Sequence, residues 1–138
     1  MLRRNEKVEL IKGVPLFADC SRDELEQIAQ IADEVDLAEG KELTRLGDPG
    51  REFFVLLEGE AEVSKNGENI NKLGPGDFFG EIALVEDTPR TATVTATTPV
   101  RVLVITDRSF KRLLEKQPEI HRKVLVALVE RVKPSLGP

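Results

Sequence analysis

Between about Glu34 and Thr106 the chain runs in short segments, each closed by glycine, proline or an Asn-Gly pair. That punctuation limits the fold more than any other feature, because few of these runs are long enough for a packed helix. "KELTRLG" stops at Gly47 and "DPG" follows as a turn, while "EFFVLLEG" reads as an apolar strand stopped by Gly59. In "EAEVSKNGENINKLG", Asn66-Gly67 separates two polar-faced runs. It predicts a two-residue hairpin, since both central positions of such a turn need positive φ. "GPGDFF" is another reversal, "RTATVTATT" alternates, and after Pro99 "VRVLVIT" reads as a buried strand. Many short strands at close spacing predict a β-sandwich or barrel, with a jelly roll the preferred form.

Helical patterns flank this region. Val8, Leu10, Ile11 and Val14 form a short apolar patch ended by Gly13 and Pro15. "SRDELEQIAQIADEV" carries a capping box, with Ser21 as cap and Glu24 at the third helical position. Leu25, Ile28, Ala29 and Ile31-Ala32 supply the stripe it would bury. After the strands, Asp107 caps "RSFKRLLEKQ", where Phe110, Leu113 and Leu114 share a face. Pro118 suits the first position of "PEIHRKVLVALVERVK". There Ile120, Val124, Leu128 and Val132 recur every four residues, Leu125 and Val129 widen the stripe, and Pro134 ends it. The expected fold is mainly β with flanking helices: a double-stranded β-helix jelly roll of about eight strands, N-terminal helices and two C-terminal helices. One domain spans 1–138, with N-terminal helices over about 5–35, the roll over about 34–106 and C-terminal helices over about 107–133.

Composition narrows the function. At 138 residues, 40% hydrophobic and 33% charged, the chain matches an ordinary globular domain. A net charge of −5 repels nucleic acid and anionic lipid, so neither is an expected direct partner. No stretch approaches spanning length and the N-terminus lacks an apolar signal region. Cys20 is the one cysteine, which rules out an internal disulfide and fits a reducing compartment. A cytoplasmic protein, or a piece of a larger one, is expected. His121 is the one histidine and cannot build a metal site with Cys20 alone, which leaves a cupin-type metal enzyme without support.

"FFGEIALVEDTPRTATVTA", Phe78 to Ala96, places Gly80-Glu81 and Arg90 on either side of a short apolar turn. Gly80 lets the backbone approach another group closely. Glu81 to Val85 reads as a single helical turn whose free N–H groups suit a phosphate. Arg90 offers a planar fork that matches two phosphate oxygens. Strict alternation puts Arg90 in phase with Ala92, Val94 and Ala96, the inward set, and turns Thr91, Thr93, Thr95 and Thr97 the other way. An inward arginine needs a counter-charge, and leaving it unpaired would cost on the order of several kcal/mol. Two partners are open: an internal ion pair with Glu81, or a ligand phosphate with Glu81 accepting a sugar hydroxyl.

"FGEIALVEDTPRTATV" closely resembles the phosphate-binding cassette of cyclic nucleotide-binding domains, found in regulatory subunits of cAMP-dependent protein kinase, in gated channels and in the bacterial cAMP receptor protein. "GDPGREFFVLLEGEAEV" is similar to that family's glycine-punctuated strands, "LGPGDFFGE" to its approach to the cassette, and the flanking helices match. The resemblance implies that Gly80 and Glu81 hold the ribose, Glu81 taking the 2′-hydroxyl. It implies that the amides of Ile82 and Ala83 reach the phosphate and that Arg90 neutralises it. Thr91 matches a position whose hydroxyl reaches the phosphate and a syn guanine; this leaves cGMP open beside the favoured cAMP. That role conflicts with the alternation above unless the strand starts irregularly after Pro89. Arg131 resembles an arginine that some channels place over the base, and is equally a solvated neighbour of Glu130. Phe53, Phe54, Phe78 and Phe79 read as core.

The implied protein is a sensor without catalysis or cofactor that couples its ligand to movement of the last helix. Its output goes to an effector protein or a further domain, since no helix-turn-helix follows the long helix in these 138 residues. A second copy of the chain is one candidate partner for that helix. The alternatives are a degenerate, non-binding scaffold or dimerisation domain, and the sensor half of a cAMP receptor-like regulator.

Overall fold

The structure is a computed structural model and describes residues 3–80, 83 and 88–132. The chain divides into two compact units, Ala32–Arg108 and a helical unit made of Met1–Ile31 with Ser109–Pro138.

The first unit is the β-roll. Its strands are β1 (Asp33–Leu37), β2 (Glu42–Thr44), β3 (Glu52–Glu58), β4 (Ala61–Lys65), β5 (Glu68–Leu73), β6 (Phe78–Phe79), β7 (Thr93–Ala96) and β8 (Val100–Thr106). They form two four-stranded sheets in the orders β1-β8-β3-β6 and β2-β7-β4-β5, with every pairing antiparallel. This is the jelly roll that the punctuation predicts. The sheets bury a shared core of Phe54, Leu56 and Val102 from one and Ala61, Leu73, Val94 and Ala96 from the other. Each large apolar side chain buried there stabilises the fold by about 1.5–3 kcal/mol. The Asn66-Gly67 turn forms as expected, with φ of 53° and 83°, and puts Lys65 opposite Glu68. β5 is an edge strand, exposed from Glu68 to Lys72, and its Asn and Lys side chains discourage pairing with another chain.

The helical unit contains α1 (Arg4–Lys12), a 3-10 turn at Pro15–Phe17, α2 (Arg22–Gln30), most of α3 (Asp107–Lys116) and α4 (Pro118–Val132). Helix does not extend to residue 35, as the apolar stripe suggested. α2 stops at Gln30, and Asp33–Leu37 is instead β1, paired with β8 from Asp33↔Val104 to Leu37↔Val100. A full ladder of backbone bonds outweighs the weak helical preference of that segment. Val8, Ile11, Leu25, Ile28, Phe110 and Ile120 are buried, and the Phe17 and Phe110 rings lie 6.0 Å apart. Of the α4 stripe, Ile120 and Val124 are buried, whereas Leu125 and Val129 are exposed. Leu128 and Val132 have side chains outside the described residues. Asp107 is the first residue of α3, and its carboxylate accepts the Arg108 amide at 2.7 Å.

The capping box of α2 forms in full and has a second use. Within the cap Glu24 Oε1 accepts the Ser21 amide at 2.7 Å, and the same oxygen accepts a hydrogen bond from Lys123 Nζ of α4 at 2.6 Å. The Lys123 bond, followed by the Ser21 amide, holds the Glu24 carboxyl below the usual glutamate range. A depressed folded value contributes stability above the unfolded value, about 4.3, which is lost as pH falls through the folded one. Lys123→Met should therefore lower stability at neutral pH and flatten the decline between about pH 5 and 3. Urea unfolding of both proteins across that range checks this.

Candidate functional site

Among the described residues, Arg90 is held by backbone rather than by carboxylates. β6 is followed by Gly80, whose φ of +83° favours glycine. A Cβ at position 80 would stand 2.7 Å from Arg90 Nη1 and 2.8 Å from the Glu52 carbonyl oxygen. On another side, a Cβ at Gly50 would come within 3.3 Å of Arg90 Cδ and Nε. The guanidinium thus lies in a cradle that two missing side chains leave open. Its Nη2 donates to the Glu52 carbonyl at 2.7 Å. Its Cζ lies 6.0 Å from the centre of the Phe54 ring, at the outer limit of a cation–π contact. Phe54 stacks on Phe79 with centroids 4.9 Å apart.

The loop before β3 clamps the backbone of the same segment. The Arg90 amide donates to the Asp48 carbonyl at 2.8 Å, and the Gly47 amide donates to the Arg90 carbonyl at 2.9 Å. Gly50 donates to Thr88 at 3.3 Å, and Pro49 bridges Pro89. "GDPG" therefore does more than turn the chain: it fixes where Arg90 leaves the backbone.

Two arginines of the roll differ in their counter-charges. Arg101 has Asp36 at 2.7 Å, Glu34 at 3.6 Å and Glu58 at 3.7 Å. Among the described residues no carboxylate forms an ion pair with Arg90, and burial pushes its pKa down while the field of Glu52 opposes this. The group stays charged, and among the described residues its one hydrogen bond leaves further N–H donors over. Such an arrangement can receive an anion.

Arg90 and Gly80 border a cavity of about 290 Å³, near the lower end for small-molecule sites. Thr91 and Ala83 also line it, with Val63, Phe79 and Val94 as an apolar wall. Strict alternation from Arg90 onward fails, because the chain bends at Thr91–Ala92 and β7 begins only at Thr93. Arg90 and Thr91 therefore line one cavity, and alternation resumes with Val94 and Ala96 buried. Phe79, read as core, serves both core and cavity wall.

Gly80, Ala83, Arg90 and Thr91 of the expected site are thus brought together. The Ala83 amide, expected to face an anion, donates to the Gly80 carbonyl at 3.1 Å. Glu81 and Ile82 lie outside the described residues, as does most of the expected Glu81–Val85 turn. Arg131 belongs to α4, and its side chain is likewise outside them. Sequence reading missed Gly50, Thr44 and the Glu52 carbonyl, all lying before or within strands remote in sequence; the glycine next to Arg51 was the one available signal. Among the described residues no cluster of three or more His, Cys, Asp or Glu side chains suits a metal, and no helix is long and apolar enough to cross a membrane.

Comparison with known proteins agrees with this fold. A model of the cyclic nucleotide-binding domain matches residues 34–117. The regulatory subunit of cAMP-dependent protein kinase from Neurospora crassa is 34% identical over 96% of this chain and 35% of its own length. That from Mycosarcoma maydis is 40% identical over 81% of the chain and 23% of its own length. The chain spans about a quarter to a third of the curated relatives it matches. Among solved structures, the N-terminal domain of a transcriptional regulator from Streptomyces coelicolor A3(2) superposes with a TM-score of 0.85 at 29% identity, covering 92% of this chain and 94% of that one. A cAMP-bound PfPKA-R structure superposes with a TM-score of 0.70 at 28% identity, covering 94% of this chain and 47% of that one. With a match across more than half of its length, and with the jelly roll already described, the chain belongs to the cyclic nucleotide-binding domain family.

Proposed function

We propose that this chain is a non-catalytic sensor that binds a cyclic nucleotide, cAMP in preference to cGMP, through a phosphate site centred on Arg90. The observation that carries this is the Arg90 guanidinium, lodged between Gly50 and Gly80 at the cavity and without an ion pair among the described residues. Its spare donors bind the cyclic phosphate, and the Thr91 hydroxyl reaches the phosphate or a syn guanine. Glu81 takes the ribose 2′-hydroxyl and Ile82 contributes its amide. Binding requires the Ala83 amide to leave or share the Gly80 carbonyl. The similarity to cAMP-dependent kinase regulatory subunits and to a cAMP-bound structure supports cAMP as the ligand.

Ligand occupancy is coupled to movement of the C-terminal helix, in proportion to the ligand's preference for one of its two positions. Arg131 on that helix is the proposed contact to the base. The output passes to an effector protein or another domain in the cytoplasm. A second reading, the sensor half of a transcription regulator, draws support from the likeness to the Streptomyces coelicolor domain.

Charge-assisted hydrogen bonds contribute about 1.5–3 kcal/mol each, so Arg90→Ala should weaken cAMP binding at least about tenfold. Calorimetry giving equal affinity in that variant would overturn the phosphate site. Gly80→Ala forces a Cβ onto the guanidinium and a residue into left-handed backbone; urea unfolding should show a loss of about 1–2 kcal/mol or more. Thr91→Ala should cost cGMP more affinity than cAMP, and titration with both nucleotides reads the ratio.

A further inference from the structure

Among the described residues Thr44 is the one buried polar side chain, and its hydroxyl both donates and accepts at the start of β7 and the residue before it. Oγ1 donates to the Ala92 carbonyl at 3.0 Å and accepts the Val94 amide at 3.1 Å. These two groups flank Thr93, whose own hydroxyl accepts the Leu46 amide at 3.0 Å. The register explains the arrangement. Glu42 pairs with Thr95 but Thr44 with Val94, so Leu43 is an extra residue and β2 carries a bulge. A bulge breaks the backbone ladder where it occurs, and here two threonine hydroxyls take its place. Directly before this point the chain bends at Thr91–Ala92. That bend is what lets Arg90 and Thr91 share a cavity, which an unbroken strand would forbid.

We infer that Thr44 is a positioning residue for the anion site: its hydroxyl pins the bend and so aims Arg90 and Thr91 at one ligand. Thr44 itself lines the cavity, yet its single proton is already donated to Ala92, so it offers no donor to the ligand. The inference rests on the function proposed above, and the test separates the two.

Thr44→Val keeps the shape and removes the hydroxyl, leaving the Val94 amide and Ala92 carbonyl without their partner. In the ligand-free protein, amide exchange should accelerate at Val94 and also at Arg90, whose amide is bonded to Asp48 rather than to Thr44. Affinity for cAMP should fall about tenfold. Thr44→Ser, which retains the hydroxyl, should restore near wild-type affinity and exchange. Ile105→Val, buried on β8, serves as a control for general destabilisation: it should lower the melting temperature without changing either readout. Should Thr44→Val fold poorly, Thr44→Ala makes the same comparison. Wild-type affinity in the hydroxyl-free variant, or failure of serine to restore it, would overturn the inference while leaving the phosphate site intact. Wild-type protein that binds neither cAMP nor cGMP would instead sink the proposed function, and unchanged exchange at Arg90 would then overturn the positioning role as well.

Discussion

A half-buried guanidinium resting on backbone is the interaction from which the site follows. Arg90 reaches the cavity because positions 50 and 80 carry no side chain and because the Glu52 carbonyl accepts one of its protons. Gly50 is remote in sequence from both Gly80 and Arg90, and each glycine lies close to a strand of the sheet that carries Phe54 and Phe79. The jelly roll brings these pieces to one place. A backbone carbonyl orients the guanidinium without neutralising it, whereas the carboxylates around Arg101 spend that arginine's charge within the protein. Among the described residues the two arginines share a chemistry and differ in their surroundings.

The same segment shows how a sheet can serve a site by being irregular. A regular β7 beginning at Arg90 would point successive side chains to opposite faces. The bulge in β2, the Thr44 and Thr93 hydroxyls and the Gly47–Gly50 loop together interrupt the ladder there. Replacing backbone pairs with side-chain bonds keeps the buried polar groups satisfied, which a core of this kind requires. The apolar residues just beyond, Val94 and Ala96, return to the common pattern and anchor the strand in the core.

Much of the fold was legible in the sequence because it is written in local signals. Asn66-Gly67 demands its hairpin, Ser21 and Glu24 form the expected capping box, and Pro118 opens α4. The end of α2 was not legible. Asp33–Leu37 has no strong preference of its own and becomes a strand by pairing with β8, whose partner residues lie some seventy positions later in the chain (Asp33↔Val104). The exposed Leu125 and Val129 differ from Ile120 and Val124 in environment, not in residue type, so periodicity alone could not separate them.

For the site, sequence alone determined which groups are chemically suited to an anion: an arginine with a planar fork, a glycine before it and a threonine beside it. Spacing within one continuous motif carries that information. Tertiary structure decided which of those groups face the same cavity, through a bend that alternation could not foresee and a glycine forty residues upstream at position 50. It also decided that Arg101 is paired and that Arg90 leans on a carbonyl. The physical reason is that side-chain chemistry belongs to single residues, whereas burial and counter-charge depend on what distant strands bring alongside.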